Sequence, residues 1–297
     1  METIESLRGR IDTAESLQSV VSTMKSLAAV SIQQLEGVVY SIDEYNRTVE
    51  LGLRVALGNR PRGLQIVTPS VGDALGAVVF GSDQGMCGQF NEDIASHAVE
   101  DIQQFGVEGR ERAILAVGAR TVGRLEEAGL TIDDFLGTPA SPGTIAPVVE
   151  QIALQIEQWR AERGFDRVFL YYNHRVSAGR YRPTTHRLLP IDQAWLDRIA
   201  GRRWPTNMLP QFRMPWRPLF SELLGQHILV VLYRAVVHSM MSEHTARMQS
   251  MQAAEQNIEE RLEELRNTFR QTRQSTITAE LLDIVSGFET IRGPADL

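Results

Sequence analysis

Proline is the residue an α-helix interior tolerates least, and both ends of this chain lack it. No proline precedes Pro61, and none falls between Pro218 and Pro294. In the first stretch Ile4, Leu7, Ile11, Ala14, Leu17, Val21, Met24 and Ala28 recur at steps of three and four. Ser31, Leu35, Val38, Ile42, Tyr45 and Val49 continue the series. That is one face of a helix with a near-heptad repeat. A helix from about Ile4 to Leu57 would be roughly 80 Å long at 1.5 Å per residue. Between Leu219 and Ser286 the only glycine is Gly225, and Met251, Ala254, Ile258, Leu262, Leu265, Phe269, Thr272 and Thr276 repeat the spacing. That second helix would run to roughly 100 Å. A compact domain of the size left between them is only ~30–40 Å across, so both helices are expected to extend beyond it. The arrangement that buries both stripes is an antiparallel coiled coil built from the two ends of one chain. Small and polar seam positions such as Ala14, Ala28, Ser31, Thr272 and Thr276 favour close approach over maximal stability.

Between the helices the pattern changes. GAVVFGSD (76–83), RAILAVGA (112–119) and FDRVFLYYNHR (165–175) are apolar runs of strand length, alternating with helical stretches such as NEDIASHAVEDIQQFG and IAPVVEQIALQIEQWRAERG. Such alternation predicts a layered α/β domain with a mostly parallel sheet. RYRPTTHRLLPI (180–191) adds a strand in which Pro183 suits an edge. The fold expected is therefore α/β with long helices. An N-terminal shaft helix spans 1–60, a central Rossmann-like α/β domain 61–210, and a C-terminal shaft helix 211–297.

Composition closes several doors. The formal charge of −7 argues against a nucleic-acid partner, which wants a basic footprint. The basic residues are 29 arginines and the single Lys25. A phosphate-cradling P-loop needs a lysine at the end of its glycine turn, and Lys25 lies in TMKSLAAV, far from any glycine cluster. METIESLRGRID has no apolar signal core. HILVVLYRAVVHSMM is interrupted by Arg234 and His238 and is too short for a membrane span. A lone cysteine excludes an internal disulfide and a cysteine-based zinc site and suits a reducing compartment. His227, His238 and His244, at spacings of eleven and six, have no metal-ligand spacing. No metal, cofactor or direct membrane insertion is expected.

The stretch GSDQGMCGQFN (81–91) sits at the carboxyl end of the first strand, where α/β folds place ligands, and it contains Cys87. A catalytic thiol needs an adjacent base. His97, His174 and His186 share the domain, but sequence alone sets none of them beside it. Free cysteines also serve as small buried apolar groups. On the residues alone three readings stay open: a shaft that moves its partners, a passive coiled-coil scaffold, and an enzyme using Cys87.

Three further stretches carry a resemblance that covers nearly the whole chain: IESLRGRIDTAESLQSVVSTMKSLAA, FGSDQGMCGQFN, and SEHTARMQSMQAAEQNIEERLEEL followed by RQSTITAELLDIVSG. The sequence resembles the gamma subunits of F-type rotary ATP synthases. The wording LPQFRMPWRPLFSELL and TMKSLAAVSIQQLE is closer to the alternate, second-operon (N-type) members. The resemblance implies a central rotor stalk without its own active site. Its coiled coil would thread a ring of α and β subunits, and its α/β domain would lie near the epsilon subunit and the membrane c ring. Ion flow through that ring would turn the shaft at the cytoplasmic face of the cell membrane.

Carried over residue by residue, Arg273, Gln274 and Thr278 match polar contacts to the β subunit catch loop. Met24 and Lys25 match the part of the shaft that passes the β subunit's acidic lever. Ser242, Glu243, His244, Arg247 and Met248 match a motif expected at the domain–stalk junction. Gly85, Cys87, Gly88 and Asn91 match a structural loop, with Asn91 expected to cap the following helix. Where many relatives carry a basic cluster on the first helix, this chain reads Ser31-Ile32-Gln33-Gln34, and the paired cysteines of plastid thiol regulation are absent.

Overall fold

The computed structural model describes residues 3–61, 74–106, 111–177, 179–208 and 210–292. In chain order these form α1 (Ile4–Gly58), β1 (Leu75–Phe80), α2 (Phe90–Gln104), β2 (Arg112–Val117), α3 (Ala119–Glu127) and β3 (Asp134–Leu136). Then come α4 (Ile145–Arg163), β4 (Arg167–Ser177), β5 (Arg180–Leu189), α5 (Gln193–Gly201) and α6 (Trp216–Arg292). The two end helices are unbroken runs of 55 and 77 residues. Helix α6 starts before Pro218, which falls in its first turn, where the missing N–H has no intrahelical partner to lose.

The chain divides into two compact units. One joins Met1–Leu27 to Ser250–Leu297, and the other is Ala28–Gln249. In the first, α1 and α6 run antiparallel. Arg266 Nη2 donates to Glu15 Oε1 at 2.6 Å, and Lys25 bonds Glu255. Leu7, Leu262 and Leu265 are buried, whereas Leu17, expected on the same face, is 52% exposed. After Ala14 the seam steps by four to the half-buried Gln18, so Leu17 turns outward.

The second unit holds a five-stranded sheet of order β3-β2-β1-β4-β5. Every neighbouring pair is parallel except β4 with the edge strand β5, where Pro183 stands opposite Asn173. Alternate residues of the buried strands serve two cores. Val78, Phe80, Leu115, Val117 and Leu170 face α4, together with Leu35 of α1 and Leu232, Ala235 and Val236 of α6. Ala77, Val79, Ile114, Ala116 and Tyr171 face Ile94, Ala98 and Ile102 of α2 and Leu125 of α3.

This unit therefore does not end at residues 60 and 210, the borders drawn from the sequence. One face of a buried sheet needs a cover, and α1 and α6 supply much of it. The segment of α6 apolar enough to pass for a membrane span has Leu232, Ala235, Val236 and Val237 inside this core. A third cluster joins Val49, Leu53 and Ala56 of α1 to Leu196 and Ile199 of α5 and Phe220 of α6.

Candidate functional site

The loop between β1 and α2 begins at a close approach that only glycine permits. A Cβ on Gly81 would overlap Thr121 Oγ1, and the Gly81 N–H donates to Val117 O at 2.7 Å. Gly88 has φ +58°, and Met86 takes the same left-handed region at φ 60° with its side chain exposed. Asp83 ties the loop to the rest of the sheet's carboxyl edge. Its Oδ1 accepts from Ala119 N–H at 2.8 Å, and its Oδ2 from Thr138 N–H and Oγ1 at 2.7 and 2.8 Å.

Asn91 does not cap α2. The cap position is Gln89, with no side-chain cap bond. Asn91 sits at the second helical residue and turns back into the loop. Its Oδ1 accepts from Ser82 N–H at 2.9 Å, and its Nδ2 donates to Ser82 Oγ at 2.8 Å. The side chain thus braces both ends of the eleven-residue stretch.

Cys87 is 2% exposed and packs with Phe90 and Ala246 beside Tyr181. Burial pushes its thiol up, with a smaller upward push from Glu243, against the lowering effects of the Ser82 hydroxyl and Arg247. Its polar neighbours are Ser82 Oγ at 3.7 Å, Gln84 O at 3.8 Å and Asn91 Nδ2 at 3.5 Å. None is a base, so this is a protonated, buried thiol rather than the thiolate that nucleophilic chemistry requires.

What fills the carboxyl-end crevice is the long helix. Arg247 and Glu243, one turn apart on α6, form an ion pair at 2.7 Å with side chains 7% and 10% exposed. The Arg247 Nη2 also donates to Gln84 O at 3.3 Å and Gly85 O at 3.4 Å. His244 Nδ1 lies 3.5 Å from Arg247 Nη1, and burial together with that cation holds its pKa down at about 4. Neutral at ordinary pH, His244 adds no charge to the pair. Desolvation pushes the Glu243 carboxyl up and Arg247 opposes it; with so short a contact we read the pair as ionised. At the position before Glu243, Ser242 Oγ donates to Asn173 O at 2.8 Å, and Asn173 Nδ2 donates to Phe90 O at 2.9 Å. Met248 is half-buried.

The α/β unit therefore brings together Gly85, Cys87, Gly88 and Asn91 of the loop with Ser242, Glu243, His244 and Arg247 of α6. Ser82, Asp83 and Asn173 were not foreseen, although a Ser-Asp pair directly after a buried strand is a signal for such anchoring.

The remaining expected positions belong to the coiled-coil unit. Arg273, Gln274 and Thr278 are exposed, and Thr278 Oγ1 returns a bond to Gln274 O at 2.8 Å. Met24 is half-buried, and Lys25 is committed to Glu255, whose carboxyl that lysine holds below its usual range. Past Thr276 the apolar side chains Ile277, Leu281, Leu282, Ile284 and Val285 all stand exposed. Among the described residues no cluster of histidine, cysteine and carboxylate side chains could hold a metal ion.

A family model described as ATP synthase matches residues 3–291. The ATP synthase gamma chain of Geotalea daltonii is 27% identical over 99% of this chain and 100% of the relative. The chain belongs to the ATP synthase gamma family. The gamma chain of Staphylococcus haemolyticus is 23% identical, with 97% of this chain and 98% of the relative covered. Among solved structures, a chain of the Euglena gracilis mitochondrial ATP synthase, captured with OSCP, F1 and the c-ring, matches with a TM-score of 0.67. It is 17% identical, over 99% of this chain and 97% of that one. A chain of the Tetrahymena thermophila central stalk and c-ring matches at TM-score 0.56 and 21% identity, over 79% of this chain and 99% of that one. These two likenesses are of fold. At the carboxyl end of β1, where other α/β folds open a ligand site, this chain places Arg247 of α6 against the Gln84 and Gly85 carbonyls.

Proposed function

We propose that this chain is the central rotor stalk of an F-type ATP synthase. Rotation of a membrane c ring turns it, and the turning shaft drives the β subunits of a surrounding α and β ring through their catalytic states. The observation that carries this reading is the end-to-end match to the gamma family, joined to two long helices paired in an antiparallel coiled coil. A shaft acts on identical partners only by touching one of them differently from the others at a given angle. Arg273, Gln274 and Thr278 supply polar groups for such a contact, with Arg273 offering a forked donor for a carboxylate. The apolar side chains from Ile277 to Val285 supply a surface that fits a surrounding apolar sleeve. Lys25 meets an acidic β-subunit lever by exchanging Glu255 for it.

In this role the chain binds no nucleotide for turnover; catalysis belongs to the β subunits. The complex works as a peripheral assembly on the cytoplasmic face of the membrane, with the α/β unit near the epsilon subunit and the c ring.

Reconstitution with the cognate α and β subunits tests the reading. ATP hydrolysis is followed while a bead on this chain reports its angle. Stepwise unidirectional rotation that stops when ATP is withdrawn is the expected result. A stable complex that hydrolyses ATP while the bead stays still makes the chain a scaffold instead.

A further inference from the structure

A second polar feature of the α/β unit shares no residue with the glycine loop. A cavity of about 350 Å³ opens between α1, β5, α5 and α6. Three arginines line it, Arg187, Arg198 and Arg234, against two carboxylates, Glu50 and Asp192. Both carboxylates are already answered. Arg202 pairs with Glu50, and Asn46 Nδ2 donates to Glu50 Oε1 at 3.1 Å. Asp192 caps α5, accepting from Ala194 N–H at 3.0 Å. The arginines are less well satisfied. Arg234 lies 3.4 Å from Asp43, and Arg187 is 3.9 Å from Asp192, beyond hydrogen-bond range. Among the described residues Arg198 makes no hydrogen bond or ion pair.

Two imidazoles complete the wall. His227 stacks on Trp195 with ring centroids 4.0 Å apart, and its Nδ1 is buried without a hydrogen-bond partner. A buried polar atom left unpaired is costly unless something answers it. Burial holds His227 down at about 4 against the opposing pull of Glu50, with His186 and Arg234 adding to the lowering. His186 is lowered by partial desolvation and by Arg234 and Arg187. Both rings are neutral near pH 7, and each can take up a proton once a negative group arrives.

We propose that this cavity binds a phosphate-type oxyanion, held by Arg187, Arg198 and Arg234 with His186 and His227. Planar guanidinium forks match tetrahedral oxyanions, and the volume is at the small end of ligand pockets. The Trp195 ring is already stacked by His227, which favours a free ion over a nucleotide base. Binding stabilises the imidazolium forms, so protons are taken up with the anion. Affinity for an oxyanion of fixed charge therefore rises as pH falls toward 6, in the range where histidine titrates.

The test is calorimetry on the full chain at low salt, with inorganic phosphate at about pH 8 and with sulfate, a tetrahedral oxyanion whose charge does not change, at about pH 8 and about pH 6. Saturable binding that tightens several-fold at the lower pH is expected. Arg198→Gln alters an exposed side chain outside the core and should weaken phosphate binding about tenfold. His227→Gln should also flatten the pH dependence. Because that variant disturbs the Trp195 stack, Arg198→Gln, checked for an unchanged melting curve, carries the decision if His227→Gln does not fold. ATP without magnesium is the second arm. Competition by ATP at lower concentrations than phosphate assigns the site to nucleotide phosphate, and failure to compete assigns it to the free ion; either outcome upholds an oxyanion site. No saturable binding of either ligand, or binding that Arg198→Gln leaves unchanged, overturns it.

Discussion

Arg247 reaches from the long C-terminal helix into the glycine loop, where its guanidinium is shared between the Glu243 carboxylate at 2.7 Å and the carbonyls of Gln84 and Gly85. The two charges are almost fully enclosed, so neither can recover solvation if the other is removed. Arg247→Ala should cost about 3–5 kcal/mol of unfolding free energy, the range for leaving a buried charge unpaired. Replacing both residues by apolar ones of similar size should cost far less. Urea denaturation of the two variants measures the difference; equal losses would mean that the pair acts through packing alone.

Glycines of the same loop should differ sharply in what they tolerate. Gly88→Ala meets no atom within 4 Å and carries only the penalty of φ +58°, about 1–2 kcal/mol for an L-residue. Gly81→Ala must move Thr121 or Asn91 and so break the brace on Ser82. We expect Gly81→Ala to melt well below Gly88→Ala, and a matched pair of melting curves checks the order.

Acid should loosen the α/β unit before it touches the coiled coil. His227, His238 and His244 are each held down at about 4, chiefly by burial. A depressed histidine pKa means that the unfolded chain binds more protons below about 6.5. The stability these groups contribute is therefore whole above pH 6.5 and is lost as pH falls from there toward 4. By pH 5 the loss should be on the order of 1–2 kcal/mol per histidine. Urea midpoints between pH 7.5 and 5, compared with His238→Phe, read the slope; a flat profile contradicts the burial argument.

Contacts made only with partners should be silent in the isolated chain. Arg273, Gln274 and Thr278 are exposed, so alanine at each is expected to leave stability within about 0.5 kcal/mol. In the assembled complex the same variants should lower ATP turnover and torque. Unchanged turnover in all three would remove them from the coupling surface.

How much of this was legible beforehand depends on the range of each interaction. The long helices and the buried strands β1, β2 and β4 follow from period and proline placement, signals a few residues wide. Strand β3 has three residues inside TIDDFLG and no period to read. Helix α5 hides in a proline-punctuated segment, although Asp192 is a proper cap signal. The exposure of Leu17 depends on a single four-residue step in the seam. On α6 the Glu243–Arg247 spacing was visible as an (i, i+4) pair, but its meeting with a loop 163 residues away in sequence was not. Resemblance to relatives brought the loop and the helix motif to notice as separate stretches; only the folded chain shows them as one contact.

The burial of Cys87 has a practical side. It is the chain's single thiol and is 2% exposed, so maleimide reagents should find the wild-type surface blank. A cysteine introduced at an exposed position of α6 would then be the one attachment point for a dye or a bead. Rotor motion could be recorded with every native residue elsewhere left in place.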